Sequence, residues 1–190
     1  MTSPGLRGSR GLSTVALVML AACGSQTSSP APAVAPSASI PDGWVTVSTA
    51  DPALQMTLPP WLLVFDNMTA ISANEAPLPG TTEIPIQLMA TPPSADTQPG
   101  PNGDLLAWLE TRLGDVGKGV PVVSEVTLPA GPAVRYERLD RAGTPTAWHI
   151  LAFAIRTPSG VAYLVIDGLP DAWSAHADDI ERIPFLLRVR

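Results

Sequence analysis

Apolar and polar side chains alternate along several short runs in the first half of the chain. Residues 54–58 and 85–90 place an apolar side chain at about every second position, which is typical of half-buried β-strands. Residues 44–48 form a β-rich run directly after the turn signal Asp42-Gly43. Residues 61–65 are apolar and follow two prolines, so we expect a short helical turn there that leads into another strand.

The second half of the chain predicts four strands, over residues 122–128, 133–139, 147–156 and 161–168. The connections between them are short. Strands joined by tight turns pair antiparallel, because parallel neighbours need long crossover connections. The runs HILAFAI and VAYLVI in the last two strands are almost continuously apolar. We therefore expect these two strands to be central in the sheet and covered on both faces.

Two helices are predicted, each with an aspartate at its start. Residues 104–113 have Asp104 in the N-cap position and end before Gly114. One apolar stripe runs along this helix, formed by Leu105, Trp108, Leu109 and Leu113. Asp171 is the second expected N-cap, for a helix that ends at about residue 182. Residues 185–190 alternate apolar and polar, which favours a final strand or a terminal extension.

This order of elements predicts an α+β fold, in which a mostly antiparallel β-sheet is covered by two or more helices. Short motifs accompany the order: Gly43-Trp44, Pro59-Pro60-Trp61, Leu128-Pro129-Ala130-Gly131 and the apolar hairpin over residues 147–168. Together they resemble the PsbP-like domains, including the LpqN-type lipoproteins of actinobacteria, over about residues 42–190. The resemblance implies an α/β/α sandwich with a binding or accessory role rather than an enzymatic one. It transfers no functional residues, because the family has no catalytic motif to map here.

The N-terminus has the three parts of a secretory signal, namely basic residues, an apolar run over residues 12–20, and small residues before Cys23. Leu20-Ala21-Ala22-Cys23 resembles the lipobox of bacterial lipoproteins. In that family the chain is cut before the cysteine, and the thiol carries a diacylglycerol. The alternatives are an ordinary signal peptide with a stray cysteine, or a buried free thiol. A disulfide has no second cysteine to use.

Cleavage before Cys23 divides the chain into a signal peptide (1–22), a lipidated cysteine with a Pro/Ala/Ser tether (23–41) and one globular domain (42–190). The tether has no charge and almost no large apolar side chain, so we expect it to be extended or disordered, with a reach of about 55 Å from the bilayer. The mature chain keeps 9 basic and 17 acidic residues, a formal charge of −8. This charge disfavours nucleic acid and anionic lipid as partners.

Few residues are candidates for site chemistry. His149 lies in an apolar strand and is expected to be a core or strand-face side chain rather than a ligand. His176 lies near Asp178, Asp179 and Glu181, where a weak metal or pH-sensing site is conceivable, but a solvated acidic helix face is favoured. Signatures of serine hydrolases, P-loops and dinucleotide-binding loops are absent, so no catalytic residue, cofactor or metal is expected.

Of the five tryptophans, Trp61 is the best candidate to line an exposed groove, because prolines and an apolar run flank it. The sequence therefore predicts a lipoprotein held on the extracytoplasmic face of the cell membrane by the lipid on Cys23. Its domain is expected to be a non-enzymatic binding or accessory module for an envelope protein. The alternative is a carrier that holds a hydrophobic small molecule or lipid between sheet and helix.

Overall fold

The computed structural model describes residues 39–50, 53–65, 69–93, 103–114 and 119–190. The strands of this part are β1 (Val45–Ser48), β2 (Leu54–Leu58), β3 (Leu62–Phe65), β4 (Ile71–Glu75), β5 (Ile86–Thr91), β6 (Val122–Leu128), β7 (Gly131–Asp140), β8 (Trp148–Thr157), β9 (Gly160–Gly168) and β10 (Leu187–Val189). The helices are α1 (Leu105–Leu113), α2 (Pro170–Ala175), α3 (Ala177–Arg182) and a 3-10 turn over Ile183–Leu186. The signal peptide and Cys23 lie outside the described residues, as does the tether up to residue 38, so these stay predictions.

The strands form two antiparallel sheets. The larger has seven strands in the order β3-β4-β5-β9-β8-β7-β6, and the smaller has three in the order β1-β2-β10. The strand pairs that define both sheets are antiparallel. The mostly antiparallel architecture predicted from the sequence is thus confirmed, although the alternation did not reveal that β1 and β2 separate into a second sheet with β10.

The predicted central strands, β8 and β9, lie in the middle of the large sheet. Side chains of β8 alternate between two packed layers. Leu151, Phe153 and Ile155 face one hydrophobic cluster, whereas Ala152 and Ala154 face the other. Both faces are apolar because both are covered, and this explains the continuous apolar run in the sequence.

Helix α1 covers one face of the large sheet over β7 and β8. The Asp104 side chain accepts a 2.8 Å hydrogen bond from the Leu106 amide, which confirms the predicted N-cap. Leu109 is fully buried against the sheet, and the Trp108 ring meets Tyr163 edge-on with a centroid distance of 6.0 Å. The small side chains of Ala152 and Ala154 lie in the same cluster, which lets the helix approach the strands closely.

The opposite face is covered by the small sheet together with α2, α3 and the 3-10 turn, whose apolar residues share one core with the large sheet. That core includes Leu54, Met56, Trp173, Ile180 and Leu187. The prediction of helices over the sheet is therefore correct in part: among the described residues α1 lies on one face, over β7 and β8, whereas strands and short helices share the other face.

Two local predictions were wrong. The expected helical turn at residues 61–65 is strand β3 from residue 62 onward, because pairing with β4 extends the backbone. The C-terminal helix has Leu169 as its N-cap and Pro170 as its first residue, so Asp171 lies inside the first turn and makes no cap hydrogen bond. The helix also breaks at His176 into α2 and α3.

The turn between β6 and β7 is confirmed and depends on Gly131. Its φ of 142° is rarely adopted by L side chains, and a Cβ there would collide with the backbone oxygen of Arg156 on β8. Glycine at this position lets the β6–β7 hairpin close against the neighbouring strand.

Candidate functional site

His149 lies on the face of β8 that α2 covers, and it joins the large sheet to this helix. Its Nε2 atom donates a 2.8 Å hydrogen bond to Oε1 of Glu137 on β7. Its ring stacks on Trp173 of α2, with centroids 4.0 Å apart and planes inclined by 21°. The side chain is thus held by a carboxylate on one side and an indole on another, at the boundary between sheet and helix.

The carboxylate of Glu137 belongs to a wider charged network. Arg135, on the same face of β7, lies 2.7 Å from Glu137 and 2.7 Å from Glu181 of α3. Burial acts to raise the pKa of Glu137, but the hydrogen bond from His149 and the charge of Arg135 outweigh it, so this pKa lies below its usual value. Burial likewise opposes the charge of Arg135, yet Glu181 and Glu137 raise its pKa. The network therefore favours charged side chains and fixes α3 to β7.

His176 forms a second contact of the same kind at the junction of α2 and α3. Its ring stacks on Trp61, with centroids 3.9 Å apart and planes inclined by 19°. Its Nε2 atom lies 3.4 Å from Oε1 of Glu75 on β4. The contacts of His176 are thus with Trp61 and Glu75, at the large sheet, rather than with the acidic helix residues expected from the sequence.

Trp61, the candidate groove residue, lies directly before β3 and is half-buried. Besides its stack with His176, its indole N–H donates a 2.9 Å hydrogen bond to Oδ2 of Asp179. These contacts bring together Trp61, His176 and one of the expected acidic residues. An exposed groove at Trp61 stays a prediction. The lipidation of Cys23 also stays a prediction, because this residue lies outside the described part of the chain.

A buried charged cluster on the α1 side of the sheet was missed by the sequence analysis. Arg138 of β7 is 7% exposed, and its guanidinium contacts both carboxylate oxygens of Asp140, at 2.7 and 3.1 Å. It also donates a 2.9 Å hydrogen bond to the hydroxyl of Tyr136. The three residues are spaced two apart on one strand, so they share a face. This period-two spacing of Tyr, Arg and Asp was the signal that could have identified them.

Asp167 of β9 lies on the same face, opposite Ile150 of β8. Burial raises the pKa of this carboxyl to about 6, although a hydrogen bond from the Trp148 side chain works in the other direction. Trp148 lies opposite Asp140 in the β7–β8 register, so both acidic residues lie near Trp148 on this face. Burial also raises the pKa of the neighbouring Tyr163 to about 12, and the charge of Asp167 adds to this effect.

The side-chain pairs of the two histidines, Arg135 and Trp61 hold the short C-terminal helices against the large sheet. In the part of the chain that the structure describes, no group of three or more His, Cys, Asp or Glu side chains could bind a metal ion. The same residues include no helix that is long and apolar enough to cross a membrane. The two histidines are brought into similar environments but do not come together in one site.

No family model matches the sequence, and no curated protein matches it. Among solved structures, LpqN of Mycobacterium tuberculosis, described as involved in cell envelope biogenesis, is 13% identical, with a TM-score of 0.49 over 77% of this chain and 90% of that one. Cyanobacterial PsbP from Synechocystis sp. PCC 6803 is 9% identical, with a TM-score of 0.53 over 85% of this chain and 100% of that one. The TM-score of 0.53 with cyanobacterial PsbP shows that this chain has a PsbP-like fold.

Proposed function

We propose that the protein is a lipoprotein of the extracytoplasmic side of the cell membrane, and that its domain is a non-enzymatic binding or accessory module. The observation that carries this proposal is the sequence Leu20-Ala21-Ala22-Cys23 at the end of an apolar run, with the one cysteine of the chain in the position that lipoproteins acylate.

The lipid on Cys23 is the source of membrane attachment in this proposal. Two acyl chains give stable anchoring, since each buried methylene contributes about 0.8 kcal/mol. The mature chain, with its formal charge of −8, gains no attraction from anionic lipid. The tether then sets the distance between the domain and the bilayer.

The contacts of the polar side chains support a binding role over catalysis. Glu137 is hydrogen-bonded to His149 and paired with Arg135, and Arg138 is paired with Asp140. Groups engaged in this way stabilise the sheet and its helices. The apolar side chains of α1 pack in one cluster with Ala152 and Ala154 of β8, which supports binding on the outer surface of the domain rather than between this helix and the sheet.

Cell fractionation of a Cys23→Ala variant tests the anchor, with Ser25→Ala as a matched control that leaves the lipobox intact. We expect Cys23→Ala to move from the membrane to the soluble fraction and to lack the mass of the acyl chains, while Ser25→Ala behaves like the native protein. Unchanged membrane retention of Cys23→Ala, with no loss of mass, would contradict the proposal.

Native mass spectrometry of the purified chain tests the kind of binding. A binding module for proteins should show the mass of the lipidated chain alone. A stoichiometric additional lipid that survives delipidation of the sample would instead identify the domain as a lipid carrier. That result would contradict the proposal that the domain binds a protein.

A further inference from the structure

Strand β3 exposes large apolar side chains at the edge of the seven-stranded sheet. Leu63 and Phe65 are 52% and 50% exposed on the α1 side of the sheet. Across the β3–β4–β5 register Phe65 aligns with Ser72 and then with Met89, which is 42% exposed. Val64 is 42% exposed on the other side of the same strand. We call these four residues the β3 edge surface.

Helix α1 does not protect this surface. It packs on β7 and β8, and in the sheet order these strands are separated from β3 by β4, β5 and β9. Edge strands usually avoid unwanted pairing through lysines, prolines or bulges within the strand. β3 reads Leu-Leu-Val-Phe and has no charged residue or proline. In the described part of the chain no strand pairs with the outer edge of β3, so its backbone can accept one further strand.

The charges of the chain are distributed unevenly along the sequence. No lysine or arginine occurs between Arg10 and Arg112, whereas this interval contains eight acidic residues. All nine basic residues of the mature chain lie in the interval from Arg112 to the C-terminus, where nine acidic residues balance them. Strands β3, β4 and β5 thus lie in a stretch of sequence that has acidic but no basic residues, and the negative net charge of the chain favours a basic partner.

We propose that the β3 edge surface binds an extended segment of a partner protein in which apolar and basic residues alternate. The segment adds to the sheet beside β3 through main-chain hydrogen bonds. Side chains of an added strand point alternately to the two faces, so its apolar residues pack beside Leu63 and Phe65 while its basic residues lie on the opposite face, which carries Glu75 of β4. A second copy of this chain is disfavoured as the partner, because two mature chains that each have a formal charge of −8 repel each other. This inference rests on the proposed binding function and names its surface and partner class.

Synthetic peptides test the proposal on the full-length protein in detergent micelles at low salt. The probe is a nine-residue peptide that alternates lysine and valine, and two controls replace lysine by glutamate or valine by proline. We expect the lysine–valine peptide to bind at least about tenfold more tightly than either control, and more weakly as salt rises. The glutamate control tests charge, and the proline control removes backbone donors from the added strand.

Substitutions locate the binding surface. Phe65→Lys and Leu63→Lys alter exposed positions on β3, and Val122→Lys is the matched control because Val122 is 63% exposed on β6, the opposite edge strand. Both β3 variants should weaken lysine–valine peptide binding by about tenfold or more, with native circular dichroism, whereas Val122→Lys should bind as the native protein does.

Three results would overturn the proposal: equal binding of the lysine–valine and glutamate–valine peptides, equal loss of binding in Val122→Lys, or no binding to the native protein. A dimer in analytical ultracentrifugation that Phe65→Lys converts to a monomer would assign the surface to a second copy instead. Fractionation of Cys23→Ala is independent of these measurements. Normal anchoring without peptide binding would therefore refute this inference alone, whereas failed anchoring with peptide binding would refute the lipoprotein proposal alone.

Discussion

Replacement of Asp167 by asparagine should stabilise the protein at neutral pH. The carboxyl of Asp167 is partly buried on the α1 side of β9, and burial raises its pKa from 3.8 to about 6. At pH 7 the group is ionised in both the folded and unfolded states, so the folded state bears the unfavourable burial of the charge. An asparagine side chain removes that charge, and its carbonyl oxygen can still accept the hydrogen bond from Trp148.

The magnitude and the pH dependence follow from proton linkage. A pKa raised from 3.8 to about 6 corresponds to about 3 kcal/mol. Between these pH values the folded state binds the proton and the unfolded state does not, so native stability falls as pH rises and levels off above about pH 6. Because the carboxyl is partly accessible to solvent, we expect Asp167→Asn to gain about 1 to 3 kcal/mol at pH 7.5 and close to nothing at pH 4.

Urea unfolding followed by tryptophan fluorescence measures this difference at pH 4.0, 5.0, 6.0 and 7.5. Asp42→Asn serves as the control, because Asp42 is exposed and its replacement changes the net charge by the same amount. Unchanged m-values would show that the comparison is valid. An Asp167→Asn protein that is no more stable than the native one at pH 7.5, or a stability gain that does not vary with pH, would refute the reasoning.

Two further substitutions test contacts of the fold. Asp104→Ala removes the side-chain cap of α1 and should cost about 1 kcal/mol of unfolding free energy in thermal or urea denaturation, and an unchanged stability would show that the cap does not matter. Arg138→Met leaves the Asp140 carboxylate buried without its guanidinium and should cost about 3–5 kcal/mol, while the added change Asp140→Leu should recover most of that loss. A double variant as unstable as the single one would contradict the burial argument for this pair.

The features that the sequence predicted correctly are those that depend on local patterns. The continuous apolar runs of β8 and β9 correspond to central strands because burial on both faces leaves no polar positions. The N-cap of α1 was predictable because Asp104 and its backbone partner are two residues apart. The four strands from β6 to β9 followed from short turns, which restrict strand direction.

The features that were missed depend on partners distant in the chain. Trp61 contacts His176 and Asp179, which lie more than 100 positions later in the chain. Residues 62–65 form strand β3 because they pair with β4, and their own composition did not reveal this pairing. Asp167 is near Trp148 because of the β8–β9 register, which alternation alone does not define. The break of the C-terminal helix at His176 coincides with the stack on Trp61, a contact with no local signal in the sequence.

The pairing of β10 with β2 has a consequence for the time at which the domain can fold. Leu187, close to the last residue, pairs with Met56 near the start of the domain, and both are fully buried. The small sheet therefore cannot close until the chain has emerged as far as residue 187, and contacts of such long sequence separation slow folding. If the protein crosses the membrane unfolded, as the proposed location implies, this contact stays unmade until residue 187 has crossed. The order of assembly thus suits the proposed location, since the core is completed on the side of the membrane where the protein is to act.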